Sequence, residues 1–377
     1  MAPETRVGNR VTRNVSFDRF SRDREDLRAY FLHFGEVVCP QLDGAIYAEL
    51  SRVVASDDNL LALAATAPPT QPPANLLFAA VHALLLSGEA HALADWYPLL
   101  AGSGSRANPV QTIARPFTEF CRLHRARLTA LIRTRLTQTN VVQRCSGLLP
   151  ALTTVFKRGG GQPLSLIEIG ASAGLNLQWD RYFYRYFFSN SPPNEGRGLW
   201  GDPESPVVVD CELRGDHELP AMEETIPVAW RRGIDLHPVN ITDPDEVLWL
   251  RALIWPDHSG RQERLGAALS MAQANPPRVI EGEASETLPG LMDAAPADSL
   301  LCVYGTHTLY QFPRAALLST LKAMQSLSHR RPVHFLSIEG TATDFSELRW
   351  TEYAGGGRSE RCLARCNPHG RWLEWLG

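Results

Sequence analysis

The most informative segment of the chain is Leu164-Ser-Leu-Ile-Glu-Ile-Gly-Ala-Ser-Ala-Gly-Leu-Asn-Leu177. Its first six residues form the largely apolar run that is typical of a buried parallel strand. Gly170, Ser172 and Gly174 follow where the backbone turns, and small residues there let a ligand approach the main chain. Glu168 lies just before the turn. Since open α/β sheets bind ligands at the carboxyl ends of their strands, the segment predicts a nucleotide-like cofactor site.

Length and composition are those of an ordinary globular protein. The chain has 377 residues, of which 44% are hydrophobic and 21% are charged, and its net charge is −4. This length predicts one large or two smaller domains, and the lack of a basic bias argues against nucleic acid as a partner. The longest apolar stretch, residues 74–86, is too short to span a membrane, so we expect no membrane partner. Residues 1–26 lack the apolar core of a signal peptide.

Seven cysteines are scattered along the chain. An odd number without a secretory signal favours reduced thiols and a cytoplasmic setting. Cys362, Cys366 and His369 form the pattern C-x3-C-x2-H, but a zinc site needs four ligands and no fourth is clustered nearby. We therefore expect no metal, and two thiols on one face of a strand are the simpler interpretation.

The pattern of apolar residues divides the chain into two parts. Residues 1–157 are predicted to form an all-helical cap that contributes to substrate binding, and the glycine-rich segment 157–162 is the linker. Residues 158–377 alternate strands and helices, which predicts an α/β fold with a Rossmann-like, doubly wound, mostly parallel sheet. Short strands after residue 348 predict an antiparallel C-terminal edge on that sheet.

Within the second part, the principal strands are predicted at residues 164–169, 228–236, 277–281, 299–304 and 333–339. Residues 175–186 are predicted to be a helix, because aromatic residues recur there at helical spacing. Residues 188–224 are then an insertion between this helix and the second principal strand.

The turn after the first strand narrows the choice of cofactor. A dinucleotide-binding turn has the pattern G-x-G-x-x-G at this position, whereas residues 170–174 have the pattern G-x-S-x-G. This spacing resembles the E/D-x-G-x-G-x-G turn of class I S-adenosylmethionine-dependent methyltransferases, with Ser172 in place of the middle glycine. The resemblance implies S-adenosylmethionine as the cofactor, with Glu168 and Gly170 near its methionine part and Ser172 and Gly174 in the same cofactor-binding turn.

Three further polar residues are expected to hold this cofactor. The resemblance implies that Asp235, at the end of the second strand, accepts hydrogen bonds from the ribose hydroxyls. It also implies that Glu283, after the third strand, lies at the adenine edge. Asn176 follows the turn closely and is a further ligand candidate, or else it hydrogen-bonds the start of the next helix.

The position of the ribose-binding carboxylate has an alternative. Gly170 and Asp235 are much farther apart than the ~20 residues typical of a nucleotide-binding unit. If the insertion contains the second strand, Asp210 or Glu212 takes the ribose role. We favour Asp235, because it follows a cleaner strand and precedes the helix-start signal at residues 240–243.

Over most of its length the chain also resembles a bacterial family of unknown function. The resemblance rests on four stretches of sequence, namely 166–177, 233–239, 249–257 and 369–376. It implies a fold but no reaction, so the substrate stays open.

Catalytic candidates come from the ends of the fourth and fifth strands. His307 could take a proton from the acceptor, since imidazole titrates near neutral pH, or it could cap the following helix. Tyr304 could hydrogen-bond or stack with an acceptor. Glu339 could act as a base or anchor a cation, and its alternative role is an ion pair with an arginine.

The sequence therefore predicts methyl transfer from S-adenosylmethionine to a small-molecule acceptor. Two alternatives stay open, an NAD(P)-dependent oxidoreductase and a non-catalytic nucleotide-binding module. The missing third glycine of the turn counts against the first alternative. The sequence identifies neither the acceptor nor the oligomeric state.

Overall fold

A computed structural model describes residues 20–101, 113–189 and 198–377. The first part of the described chain is helical and contains α1 (Arg24–His33), a π-helical turn (Phe34–Val38), α2 (Cys39–Gln41), α3 (Ala45–Ser56), α4 (Asp58–Ala64), α5 (Pro73–Leu86), α6 (Ala114–Leu123), α7 (Arg125–Thr134) and α8 (Cys145–Arg158). The expected absence of a signal peptide in residues 1–26 falls mostly outside the described ranges.

The helical region packs around α5, which is buried on nearly every side and is apolar all round, as a central helix must be. Its core also includes Trp249, Leu253 and Trp255, which follow much later in the chain. Conversely, α8 packs against the sheet. The cap and the sheet thus share side chains, and a domain boundary at residue 157 stays a prediction. Across the described ranges, we find no helix with both the length and the apolar character needed to cross a bilayer.

His82 ties α5 to the later part of the chain and makes stability depend on pH. Its side chain is 1% exposed, and its Nδ1 lies 3.1 Å from the Ala252 carbonyl oxygen. Burial lowers the pKa of His82 to about 4. The unfolded chain, with an ordinary histidine pKa, therefore takes up the proton first as the pH falls. The stabilisation from neutral, buried His82 is complete above the pKa that His82 has in the unfolded chain. It is lost as the pH falls towards the pKa of about 4 that His82 has in the folded protein.

We expect the wild-type protein to lose about 2 kcal/mol more unfolding free energy than His82→Gln between pH 8 and pH 5. The comparison cancels the other titrating groups, which both proteins share. Urea unfolding followed by circular dichroism at several pH values measures the difference. Parallel pH curves for the two proteins would contradict the assignment.

The described residues form one eleven-stranded sheet with the order β3-β2-β4-β11-β10-β9-β8-β7-β1-β5-β6. The strands are β1 (Leu164–Ile169), β2 (Phe183–Phe188), β3 (Gly198–Trp200), β4 (Val208–Arg214), β5 (Val228–Asp235), β6 (Val279–Glu281), β7 (Leu300–Thr306), β8 (Val333–Gly340), β9 (Ser346–Ala354), β10 (Gly357–Cys366) and β11 (Trp372–Trp375). Most neighbouring pairs are parallel, and the rest are antiparallel. A mixed α/β fold with a large, mostly parallel sheet is confirmed.

Helices cover both faces of the parallel strands. The helices of this part are α9 (Pro244–Ala252), α10 (Ser259–Ala274), α11 (Ala284–Ala294) and α12 (Arg314–Leu327). Alternate residues of β1 point to opposite faces, so Leu166 packs with α8 and α10 while Ile167 packs with α11 and α12. Burial on both faces explains why β1 is almost continuously apolar.

Residues 175–186 do not form the predicted helix. Leu175–Arg181 is a short 3-10 helical stretch, and the chain then enters strand β2. Tyr184 and Tyr186 are buried there, while their neighbours in β2 are partly exposed. This alternation has the period of a strand, and aromatic residues fit a pleated surface well. The helical interpretation was wrong because a dense aromatic run satisfies both periods.

The insertion extends the sheet at its far end. It contributes β3 and β4, while residues 190–197 lie outside the described ranges. β4 pairs with β11, so the antiparallel strands β9 to β11 lie in the middle of the sheet. The prediction that they form a C-terminal edge is wrong, because strands from earlier in the chain continue beyond them.

Candidate functional site

A cavity of about 670 Å³ opens at the carboxyl ends of the parallel strands. Its floor includes Gly170 after β1, Asp235 at the end of β5 and Glu283 after β6. Residues 136–140, between α7 and α8, also line it. The volume lies within the range of small-molecule sites.

The turn after β1 is wound through the left-handed region. Gly170, Ser172 and Gly174 have φ angles of +73°, +54° and +70°, and a side chain at Ser172 tolerates this conformation poorly. The Ser172 N–H donates to Asp235 Oδ2 at 2.7 Å. The Ser172 hydroxyl oxygen is buried and has no hydrogen-bond partner within the described residues. A strained turn with an unsatisfied hydroxyl is typical of a ligand site rather than of a plain chain reversal.

Gly170 is needed for space as well as for conformation. A Cβ atom at Gly170 would overlap the Thr308 side chain, whereas one at Gly160, which has a φ of +69°, would meet nothing within 4 Å. We expect Gly160→Ala to cost about 1 kcal/mol of unfolding free energy for the left-handed conformation. Gly170→Ala should cost about 3 kcal/mol, because overpacking is added. Urea unfolding of both variants checks this, and equal costs would show that Thr308 moves aside freely.

Asp235, and not Asp210, lies beside the β1 turn. Its carboxylate accepts hydrogen bonds from the N–H groups of Ser172 at 2.7 Å and His237 at 2.9 Å. It also accepts one from Gln138 Nε2 at 2.9 Å. Asp210 lies on β4, outside the cavity lining, where it pairs with Arg185 at 2.5 Å and 2.7 Å. Gly170 and Asp235 are far apart in sequence because the intervening residues form β2, β3 and β4 at the far end of the sheet before the chain enters β5.

Glu168 and Tyr304 lie beneath the turn rather than on the cavity surface. Glu168 is 1% exposed, its Oε1 accepts from Asn176 Nδ2 at 3.2 Å, and burial raises its pKa well above the usual value. The Tyr304 hydroxyl donates to the Asn176 carbonyl oxygen at 3.2 Å. Both residues therefore hold Asn176, which does line the cavity. From this position the Tyr304 side chain does not line the cavity, so the structure does not support the predicted contact between Tyr304 and an acceptor.

Glu283 lies at the cavity rim. It is exposed and precedes the first residue of α11, and the Ser285 hydroxyl donates to its Oε2 at 3.3 Å. The side chain is free to turn towards a ligand, because its contacts are with solvent and with its own helix start.

Of the catalytic candidates, His307 lines the cavity and Glu339 does not. His307 Nε2 lies 2.9 Å from Ser346 Oγ, and burial, together with the charge of Arg144, lowers its pKa to about 3. Glu339 Oε1 accepts from the N–H groups of Thr308 and Leu309, each at 3.0 Å. Glu339 thus shapes the loop after β7, and burial raises its pKa. Within the described residues no arginine lies within ion-pair distance of it.

Several residues of the cavity were missed by the sequence interpretation. They are Trp255, His258, Arg144, Arg261 and His369. They come from distant segments, and neither spacing nor local pattern connects them. Two of the stretches that resemble the bacterial family, 249–257 and 369–376, contain Trp255 and His369, and this was the one available signal. Within the described residues, no three histidine, cysteine or acidic side chains are placed to share a metal ion.

The fold and the cavity define a mixed α/β protein with a cavity at the carboxyl edge of its sheet. The chain belongs to the family described as an uncharacterized protein conserved in bacteria (DUF2332), whose model matches residues 28–375. No curated protein and no solved structure matches the chain.

Proposed function

We propose that this protein transfers a methyl group from S-adenosylmethionine to a small-molecule acceptor. The observation that carries the proposal is the pairing of Asp235 with the β1 turn. A carboxylate at the end of the neighbouring strand, 2.7 Å from the Ser172 nitrogen, is the arrangement that binds a ribose in nucleotide-binding α/β folds.

The strand order supports a Rossmann-like interpretation of the sheet. The parallel strands run β6-β5-β1-β7-β8, so the order reverses direction between β1 and β7. In open α/β sheets, ligands bind outside the carboxyl ends of the strands at such a switch point. The cavity includes Gly170 after β1 and Thr306 at the end of β7, and so lies at this position.

The residues around the turn fit the nucleoside part of the cofactor. An ionised carboxylate has about four acceptor positions, and three N–H donors already bond Asp235. One ribose hydroxyl can therefore bond directly, and a second requires Gln138 to withdraw. The cofactor's sulfonium, when bound, supplies an electrophilic methyl group.

The protein's contribution to the chemistry is mainly orientation. His307 is the candidate base that faces the cavity, and it is neutral at physiological pH because its pKa is lowered to about 3. Such an imidazole is a weak base, since an efficient catalytic base titrates near the working pH. His307 therefore holds the acceptor through a hydrogen bond and accepts a proton only where the acceptor is itself acidic.

Calorimetric titration of the purified chain with S-adenosylmethionine, S-adenosylhomocysteine and NAD tests the proposal. We expect micromolar binding of the first two and none of NAD, because the turn lacks the third glycine of a dinucleotide site. Binding of NAD alone would favour the oxidoreductase. Binding of the first two without turnover of any acceptor would favour a nucleotide-binding module.

A further inference from the structure

We infer that Arg144 and Arg261 form an anion subsite in the cavity, which binds a carboxylate or phosphate group of the acceptor. Both side chains line the same cavity as Asp235 and the β1 turn. We call this pair the arginine subsite. Its assignment to the acceptor rests on the proposed function, whereas anion binding itself does not.

Arg144 is held in place by backbone oxygens. Its Nε donates to the Pro368 carbonyl at 2.9 Å, and its Nη1 lies 3.3 Å from the Thr306 carbonyl oxygen. Thr306 ends β7, and Arg144 immediately precedes α8. The guanidinium is therefore fixed between the sheet edge and the loop before β11, with its charge directed at no carboxylate.

Arg261 approaches from the first turn of α10. Its Nη1 lies 3.3 Å from His258 Nδ1, and His258 Nε2 lies 2.7 Å from the Leu42 carbonyl oxygen. Arg261 is thus linked through His258 to the helical region. Its charged neighbours are cations, namely Arg144, Arg264 and Arg371.

Among the described residues, neither arginine of the subsite has an ion-pair partner. Within the described ranges, no aspartate or glutamate oxygen lies within 4.0 Å of Arg144 or Arg261. The nearest acids to Arg144 are Glu168 and Glu339, and burial favours the neutral form of both. Two partly buried, mutually repelling cations without counter-charge are costly, and such charges are normally paired. A bound anion supplies the missing partner.

The chemistry of the surrounding groups selects an anion with several oxygens. Guanidinium groups present forks of N–H donors that match carboxylate and phosphate. His307 and His369 line the same cavity, and as neutral imidazoles each can donate one N–H. The subsite therefore offers donors in excess and few acceptors.

The arginine subsite can be tested with inorganic phosphate and malonate as probes. The full chain is titrated with each at constant ionic strength, with sodium chloride as the reference, and thermal unfolding is recorded. We expect both probes to raise the melting temperature, with the stronger response identifying the group. In Arg261→Met the dissociation constant should rise about tenfold or more, because a charged hydrogen bond is lost.

Arg264→Met is the matched control. Arg264 lies one turn further along α10, outside the cavity lining, and donates to the Val208 carbonyl at 2.7 Å. This variant should keep the anion response but unfold at a lower temperature, since it leaves a carbonyl unpaired. Arg261→Met should be no less stable than wild type in anion-free buffer, because it removes an unpaired buried charge. If Arg261 had a purely structural role, Arg261→Met would be less stable than wild type in anion-free buffer.

Three results would overturn the inference. They are a wild-type protein that responds to neither probe, an Arg261→Met variant that keeps the full response, and phosphate that competes with S-adenosylmethionine. The last would mean that the arginines bind the cofactor's own carboxylate. Failure of cofactor binding in the separate titration would leave the anion response intact, so the two failures are distinguishable.

Discussion

Replacement of Trp255 by alanine is expected to lower the free energy of unfolding by about 4 kcal/mol. The Trp255 ring is 7% exposed and packs against Phe34 at 5.7 Å, Tyr47 at 5.3 Å and His258 at 5.7 Å between ring centroids. It also approaches Gly44 so closely that a Cβ there would overlap the ring. Because Trp255 follows α9 while Phe34 and Tyr47 belong to the helical region, its loss opens a cavity between the two parts of the molecule.

Trp372→Ala is the control for this prediction. Trp372 is partly exposed, and the Arg214 guanidinium lies 4.5 Å from its ring centroid, so its loss should cost below about 2 kcal/mol. Urea unfolding followed by circular dichroism measures both variants. If the two losses were equal, Trp255 would not be the link between the helical region and α9 that its contacts indicate.

The second large effect is expected in binding. Asp235→Ala should weaken S-adenosylmethionine binding at least about a hundredfold, because charge-assisted hydrogen bonds to the ribose hydroxyls, two of them once Gln138 withdraws, are lost together. The prediction depends on the proposed function. Asp210→Ala should bind like wild type, since Asp210 lies on β4, away from the cavity, and pairs with Arg185 of β2. Calorimetric titration gives the dissociation constants.

Two further variants separate binding from folding. Asp235→Asn keeps one acceptor oxygen for the Ser172 N–H and should fold normally, yet lose most of the affinity. Gln138→Ala frees one acceptor position of the carboxylate and should bind at least as tightly as wild type. Normal affinity in Asp235→Asn would exclude Asp235 as the ribose ligand, and weaker binding by Gln138→Ala would indicate that Gln138 itself contacts the ligand.

The strands that are buried on both faces could be predicted from sequence. β1 was predicted to the residue, because a continuous apolar run between turn signals has few other solutions. β5 carries polar residues and is mostly only partly buried, and it was predicted within one residue of its end. The start of α9 was also readable, since Asp243 caps it and accepts from the N–H groups of Asp245 and Glu246. Each of these signals lies within a few consecutive residues, so a single sequence is enough to detect it.

Long-range pairing could not be predicted in the same way. The spacing of its aromatic residues predicts a helix where strand β2 begins, and the contact of β4 with β11 joins segments that share no pattern. The register of such pairs depends on packing between side chains that are far apart in sequence. The choice of sheet neighbours therefore has no signature in a single chain.

The candidate site shows the same division. Gly170, Ser172 and Asp235 were predicted because a strand end and a turn motif mark them. Arg144 and Arg261 were not, because their shared feature is the lack of an ion-pair partner among the described residues, which only the three-dimensional arrangement reveals. Tyr304 illustrates the converse, since the carboxyl end of β7 was predicted but not the direction in which its side chain points.

The position of β11 has a consequence for biosynthesis. This four-residue strand is the bridge between the block β3-β2-β4 and the remaining strands. β4 leaves the ribosome long before β11, so in the nascent chain its outer edge has no neighbour. Unpaired strand edges are templates for association between chains. During translation the edge of β4 is therefore a surface prone to association, and it is covered only when β11, one of the shortest strands of the sheet, is made.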